Sequence, residues 1–249
     1  MEIAHDLRLA LDPVAFALDL GFIPDPWQER VLRWTGKRLL MNCSRQSGKS
    51  TTAAILGLHR ALYYPKSLIL LVSPSLRQSS ELFRKVTEFL GNLSMRTELM
   101  EDNRLSCTLQ NKSRIVSLPS SENTIRGFSN VSLVIEDESA RVSDDLYRTI
   151  RPMLAVSKGR LILMSTPFGK RGHFFEEWTN GDGWERVRVP ATECPRISPE
   201  FLEQERGSLG EWWFNQEYMC EFMETLDNLF GYDLINKAVS SDIKPLFGG

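Results

Sequence analysis

No run of about 18 apolar residues occurs in this sequence, so it offers no membrane-spanning helix. Its start, MEIAHDLRLALDP, is acidic and mixed, unlike a secretory leader. Cysteine is sparse. The four present (Cys43, Cys107, Cys194 and Cys220) show no Cys-x-x-Cys spacing and no histidines at zinc-ligand spacing, which reads as reduced cytosolic thiols. Histidine is sparser still, three in 249 residues, which argues against a His-based metal centre. There is no internal repeat and no low-complexity tract. Neither sign of charge dominates. The net charge of −2 gives no global pull toward nucleic acid. The first hundred residues carry a small basic excess and residues 201–249 an acidic one. Any DNA contact is therefore expected to be local and within the first 200 residues, with the acidic end a solvated helical face.

What the chain does have is apolar content, 42%, enough for one sizeable core or a core with a small appended subdomain. Short apolar runs at 38–43, 67–73, 132–137 and 160–165 read as buried parallel strands. Helical patterns at 49–64, stopped by Pro65, and at 76–93, stopped near Gly91-Asn92, lie between them. Strands alternating with helices predict an α/β fold with a mostly parallel sheet. Residues 105–119 break the alternation and predict an antiparallel hairpin around Asn111-Lys112. Residues 198–224 predict two helices split near Gly207–Gly210, with Ser198 as N-cap and Pro199 in the first position. The division expected is a core over 1–190 and a small helical subdomain and linker over 191–249.

The chemistry concentrates in a few stretches. CSRQSGKS (43–50) follows a strand and opens a helix. It fits the phosphate-cradling pattern G-x-x-x-x-G-K-[ST] except that Cys43 stands where the first glycine is usual. In that pattern Gly48 lets the backbone approach phosphate, Lys49 reaches the β- and γ-phosphates, and Ser50 holds Mg²⁺. A second element should then be a buried strand ending in acid. LVIEDES (133–139) supplies it, with Asp137 for the Mg²⁺ shell and Glu138 to polarise the attacking water. A third strand ends in Ser165-Thr166-Pro167, where a hydroxyl could sense the γ-phosphate. Upstream, PDPWQERVLRW places Gln28 one turn into a helix begun by Pro26. A Gln amide can pair with the donor and acceptor on an adenine edge. Trp27 and Trp34 read as core anchors. An arginine that neutralises the transferring phosphoryl is also expected, from among Arg45, Arg126, Arg141, Arg148 and Arg151.

Together these stretches resemble the N-terminal ATPase domain of the large terminase subunit of tailed phages, over about residues 24–225. PWQ resembles the family's adenine motif and SRQSGKS its variant phosphate loop. TIRGFSNVSLVIEDES resembles the stretch with a key arginine and the acidic pair, and STPFGKRGHFFEEW the coupling motif and its helix. The resemblance implies a RecA-like, additional-strand P-loop core that hydrolyses ATP with Mg²⁺ to move double-stranded viral DNA into a procapsid. It implies nucleotide contacts from Gln28, Ser44, Gln46, Ser47, Gly48, Lys49, Ser50, Thr51 and Thr166, and metal contacts from Ser50 and Asp137. Catalysis would fall to Glu138 and Lys49, to Arg45 in cis, and to Arg126 as a finger offered to a neighbour. Portal protein, small terminase subunit and a homo-oligomeric ring are the implied partners, in the host cytoplasm. The family's C-terminal nuclease cluster has no counterpart before residue 249, so no DNA cleavage is expected of this polypeptide.

Two other readings compete. LLVSPSLRQSSELFRKV also resembles the strand–helix after the phosphate loop of superfamily 2 helicases, which need a second RecA-like domain that the remaining chain is too short to provide. A nucleotide-binding switch, with Cys43 as a sign of decay, conflicts with the retained Lys49, Asp137 and Glu138. Candidate DNA contacts are Arg104, Lys112 and Arg114 on the hairpin, and Lys170 and Arg171 after the coupling motif.

Overall fold

The computed structural model describes residues 2–93, 99–120, 125 and 127–224. Among the described residues eight strands form one sheet: β1 (Arg38–Cys43), β2 (Leu68–Ser73), β3 (Leu99–Asn103), β4 (Ser106–Leu109), β5 (Arg114–Pro119), β6 (Leu133–Asp137), β7 (Arg160–Ser165) and β8 (Glu185–Val189). Their order is β3-β4-β5-β2-β6-β7-β1-β8. The six from β5 to β8 along that order are parallel, and only β3/β4 and β4/β5 run antiparallel. The anticipated hairpin is β4–β5. Lys112, at φ +66, and Asn111, whose amide caps the carbonyls of Ala61 and Leu62, turn it.

Among the described residues the helices are α1 (Glu2–Leu11), α2 (Pro13–Asp19), α3 (Pro26–Leu32), α4 (Lys49–Tyr63), α5 (Leu76–Gly91), α6 (Asp144–Ser157), α7 (Gly172–Thr179), α8 (Pro199–Leu209) and α9 (Glu211–Glu217). Side-chain alternation along the strands feeds two cores. Leu39, Met41 and Cys43 of β1 join Ile135, Met164, Phe16, Ile55 and Leu58 under α2–α5. Leu40, Val134, Leu163, Leu146, Ile150 and Phe174 form the opposite core under α6 and α7. Trp27 and Trp34 are buried, as anchors should be. Truncating a fully buried aromatic such as Phe174 to alanine would cost about 3–5 kcal/mol.

A smaller cluster of Ala191, Leu202, Phe214 and Tyr218 ties α8 and α9 to the segment after β8. Ser198 caps α8 through the Phe201 N–H, as its position before Pro199 predicted. The chain then returns to the sheet, where the Asn42 amide donates to the Cys220 carbonyl at 2.9 Å. Strands β3 and β8 were not anticipated. LMEDN and ERVRV are edge strands rich in charge, and an edge needs no continuous apolar run.

The parallel order fixes the site. β7 lies between β1 and β6, pairing Asn42 with Ser165 and Asp137 with Met164. The phosphate loop, the acidic pair and the Ser-Thr-Pro turn therefore leave the same sheet edge, at the carboxyl ends of adjacent strands. Such crevices are where open α/β sheets bind ligands. Among the described residues no helix is long and apolar enough to cross a membrane.

Candidate functional site

The loop is built for an anion. β1 ends at Cys43, and α4 starts at Lys49 with Gly48 as its N-cap at φ +94. Gln46 is also left-handed, at φ +57. This alternation turns successive N–H groups inward, above a helix N-terminus. The Ser44 and Arg45 N–H groups are taken by the carbonyls of Val189 and Glu217 at 2.9 and 3.2 Å. Ser44 therefore has no backbone donor to spare, and the donors for phosphate come from Gln46 onward. Ser47 braces the turn through its hydroxyl, 2.9 Å from the Ser44 carbonyl. Cys43 explains the missing glycine. It is the last residue of an extended strand, fully buried in the core beneath the loop. No left-handed backbone is needed there, and burial pushes its thiol up to about 12, so it is inert. The glycine that matters is Gly48, where a Cβ would fall 2.7 Å from Gln28 Nε2.

Around this loop the acids converge. Lys49 is buried, with Nζ 3.3 Å from Glu138 Oε1. Burial opposes its charge, but Glu138 and Asp137 outweigh that and hold its pKa above the usual lysine value. Ser50 Oγ lies 3.4 Å from Asp137 Oδ2. Burial first, and then the charge of Glu138, push the Asp137 carboxyl up to about 6. Two hard oxygen donors beside a carboxylate that is costly to ionise suit a divalent cation. Glu138 sits at φ +51, a left-handed conformation uncommon for a non-glycine residue, at the start of a 3₁₀ turn over Ser139–Arg141.

Arg141 completes the wall. Its guanidinium is 2.9 Å from Glu138 Oε2, 3.3 Å from Thr166 Oγ1 and 3.7 Å from Glu217 Oε1, and it lies over the Phe168 ring. Glu217 also binds Arg45, Nε to Oε2 at 2.5 Å. A cleft of about 360 Å³ results, lined by Arg45, Gln46, Lys49, Gln78, Glu138, Arg141 and Thr166.

Gln28 is fully buried against the far side of the loop. Its Oε1 accepts the Asp25 N–H at 2.8 Å, which caps α3, and its Nε2 has no partner among the described residues. The cap therefore already engages the acceptor end of the amide, while the donor end is available. Arg196 bridges this corner, donating to Asp25 Oδ1 at 2.9 Å and to the Ser47 carbonyl at 3.0 Å.

The structure thus gathers Arg45, Gln46, Lys49, Glu138 and Thr166 in one cleft, with Ser50 and Asp137 at its floor and Gln28 behind Gly48. Thr51 stands apart, its hydroxyl accepting from Lys85 at 3.3 Å. Arg126 lies outside the described residues. Arg148 and Arg151 do not reach the cleft; they pair with Asp145 and Glu177. Arg104, Lys112 and Arg114 are exposed, whereas Lys170 pairs with Glu224 at 3.0 Å. Glu217, Gln78 and Arg196 were missed. Glu217 sits in a stretch whose acidic composition reads as solvated surface, and only the packing of α9 brings it to the loop.

Comparison with known proteins bears on the family and the fold. The family described as terminase large subunit, T4likevirus-type, N-terminal, matches residues 40–237. The terminase large subunit of Thermus phage G20c is 26% identical over 255 aligned residues, covering 87% of this chain and 52% of that protein. The chain spans about half the length of the curated relatives it matches. Among solved structures, the large terminase ATPase domain of Thermus phage P74-26 superposes with a TM-score of 0.75 at 23% identity, covering 84% of this chain and 97% of that one. The large terminase of bacteriophage D6E in complex with ADP gives 0.67 at 10% identity, over 80% of this chain and 54% of that one. The sheet is the RecA-like one of these domains. With the family matched across most of its length and the motif residues on one sheet edge, this chain belongs to the terminase large subunit family, in its N-terminal part.

Proposed function

We propose that this chain is an ATPase that powers translocation of double-stranded viral DNA into a procapsid. The observation that carries this reading is the contact of Lys49 with Glu138 and of Ser50 with Asp137, between the start of α4 and the end of β6, in a chain of the terminase family. The N–H groups from Gln46 through the start of α4 would cradle the phosphates, and Lys49 would bind the β- and γ-phosphates. Ser50 and Asp137 would hold Mg²⁺, which when bound neutralises charge on the phosphate oxygens. Gln28 would donate from Nε2 to the adenine edge, and Thr166 would sense the γ-phosphate.

Both carboxylate oxygens of Glu138 face cations, Oε1 toward Lys49 and Oε2 toward Arg141. Phosphates entering the cleft would compete for Lys49 and Arg141. Glu138 would then be free to accept a proton from the attacking water. Arg45 and Arg141 would supply positive charge in cis, and Arg126 would supply it to a neighbour in a ring.

Residues 1–190 would form the catalytic core and 191–249 the helical subdomain and linker. Double-stranded DNA, the portal protein and the small terminase subunit would be the partners, in the host cytoplasm. The test is steady-state phosphate release by the full chain, with and without Mg²⁺ and double-stranded DNA. Nucleotide binding without turnover in any assembly state would reduce the protein to a switch.

A further inference from the structure

One buried polar cluster lies beside this machinery but is not used by it. Glu136 precedes the acidic pair on β6 and is fully buried on the face covered by α6 and α7. Its Oε1 accepts from Ser139 Oγ at 2.5 Å and lies 2.6 Å from His173 Nε2. His173 Nε2 is also 3.0 Å from Ser139 Oγ. The other ring nitrogen, Nδ1, lies 3.2 Å from Asp144 Oδ1, which also accepts the His173 N–H at 2.7 Å. Tyr147 stacks on the ring, centroids 4.5 Å apart and planes 8° from parallel. An imidazole and a carboxylate here displace what could be plain core, next to Val134, Leu146 and Phe174. Replacing a buried pair of this kind by apolar groups of similar volume is often neutral or stabilising, so stability is a weak reason for the cluster.

What the cluster does hold is the turn that aims Glu138. Glu136 and Ser139 flank the acidic pair, and their mutual bond closes the turn around it. Glu138 itself sits at φ +51, a strained conformation that persists only where its surroundings fix it. Its own backbone is braced by the Arg141 N–H at 2.8 Å. His173 stands on α7, three residues beyond Lys170 and six beyond Pro167 of the Ser-Thr-Pro segment. It is thus the side chain through which α7 touches both residues bracketing Asp137 and Glu138.

We propose that His173 is a positioning residue for the hydrolytic step: by holding Glu136 and Ser139 together it sets the Glu138 carboxylate, and it ties that setting to the position of α7. This rests on the reading of Glu138 as the group that activates water. Misplacing such a group by about 1 Å costs on the order of 100-fold in rate. His173→Leu should lower kcat of the full chain about 10- to 100-fold, with the Kd for a fluorescent ATP analogue and Mg²⁺ changed less than about threefold. Ser139→Ala should show the same kcat-selective loss, and it carries the test if His173→Leu does not fold. The two amide replacements separate positioning from packing. Gln places its amide nitrogen near His Nε2, toward Glu136, whereas Asn places it near Nδ1, toward Asp144. His173→Gln should therefore retain most of kcat and His173→Asn should not. Folded His173→Leu or Ser139→Ala with parental kcat, or Gln no better than Asn, would overturn the proposal. Glu138→Gln in the same assay keeps the two ideas apart. If that variant turns over ATP at the parental rate, the role given to Glu138 fails. If it is inactive while His173→Leu is fully active, only the role given to His173 fails.

Discussion

Lys49 Nζ lies 3.3 Å from Glu138 Oε1, so the residue that would grip phosphate and the residue that would activate water form an ion pair. Their roles separate by mutation. Lys49→Ala should weaken nucleotide binding and abolish turnover together. Glu138→Gln should bind ATP at least as well as the parent, because a negative charge beside the phosphates is gone, while kcat falls about 10²- to 10⁴-fold. Equilibrium binding and single-turnover hydrolysis measure both. Parental hydrolysis by Glu138→Gln would remove it as the base.

Gln28 offers one amide donor next to Gly48. Guanine carries a carbonyl where adenine carries its amino group, so the discriminating contact would be the second lone pair of Gln28 Oε1, left beside its bond to the Asp25 N–H, accepting from the adenine amino group while Nε2 donates to a ring nitrogen. Gln28→Ala should narrow the ATP-over-GTP preference about three- to tenfold in competition assays, the worth of one buried hydrogen bond. It should also lower stability by about 1 kcal/mol through loss of the α3 cap. An unchanged ATP/GTP ratio would remove the adenine assignment.

The Asp137 carboxyl is raised to about 6 by burial and by Glu138. Its folded-state pKa exceeds its unfolded one, so its contribution favours folding below the ordinary carboxylate range and is lost as pH rises through about 6. Asp137→Asn removes that cost. In protein assayed without nucleotide it should stabilise the fold by about 1–3 kcal/mol at pH 8 and by less at pH 5, seen as a larger rise in Tm at pH 8, while Mg²⁺-dependent turnover disappears. Thermal melts at the two pH values test the sign. Equal shifts, or a lower Tm at pH 8, would contradict it.

If Arg126 serves a neighbouring subunit, two inactive variants should rescue each other. Arg126→Ala keeps its own cleft and Glu138→Ala keeps its finger. Mixed in an assembly that exchanges subunits, they should recover part of the parental rate, while neither does alone. Flat activity at every mixing ratio would assign the charge to Arg45 or Arg141 in cis.

The sequence by itself settled the parallel strands, because strands buried on both faces must be continuously apolar, as at 38–43, 133–137 and 160–165. It also singled out Gly48, Lys49, Ser50, Asp137 and Glu138 as candidates, because the chemistry of a phosphate loop asks for those residue types between strand end and helix start. It could not show why Cys43 is tolerated; that depended on β1 staying extended and burying the side chain. Nor could it reveal that Arg141 reaches Glu138 and Thr166 while Arg148 and Arg151, on the helix that follows, point elsewhere. Tertiary structure alone brought Glu217, 172 residues from Arg45, and Arg196, 149 residues from Ser47, against the loop. No local pattern encodes contacts of that length. They exist because β8 pairs with β1 and the chain after it folds back over the sheet edge, so the order of strands decides which distant charges meet.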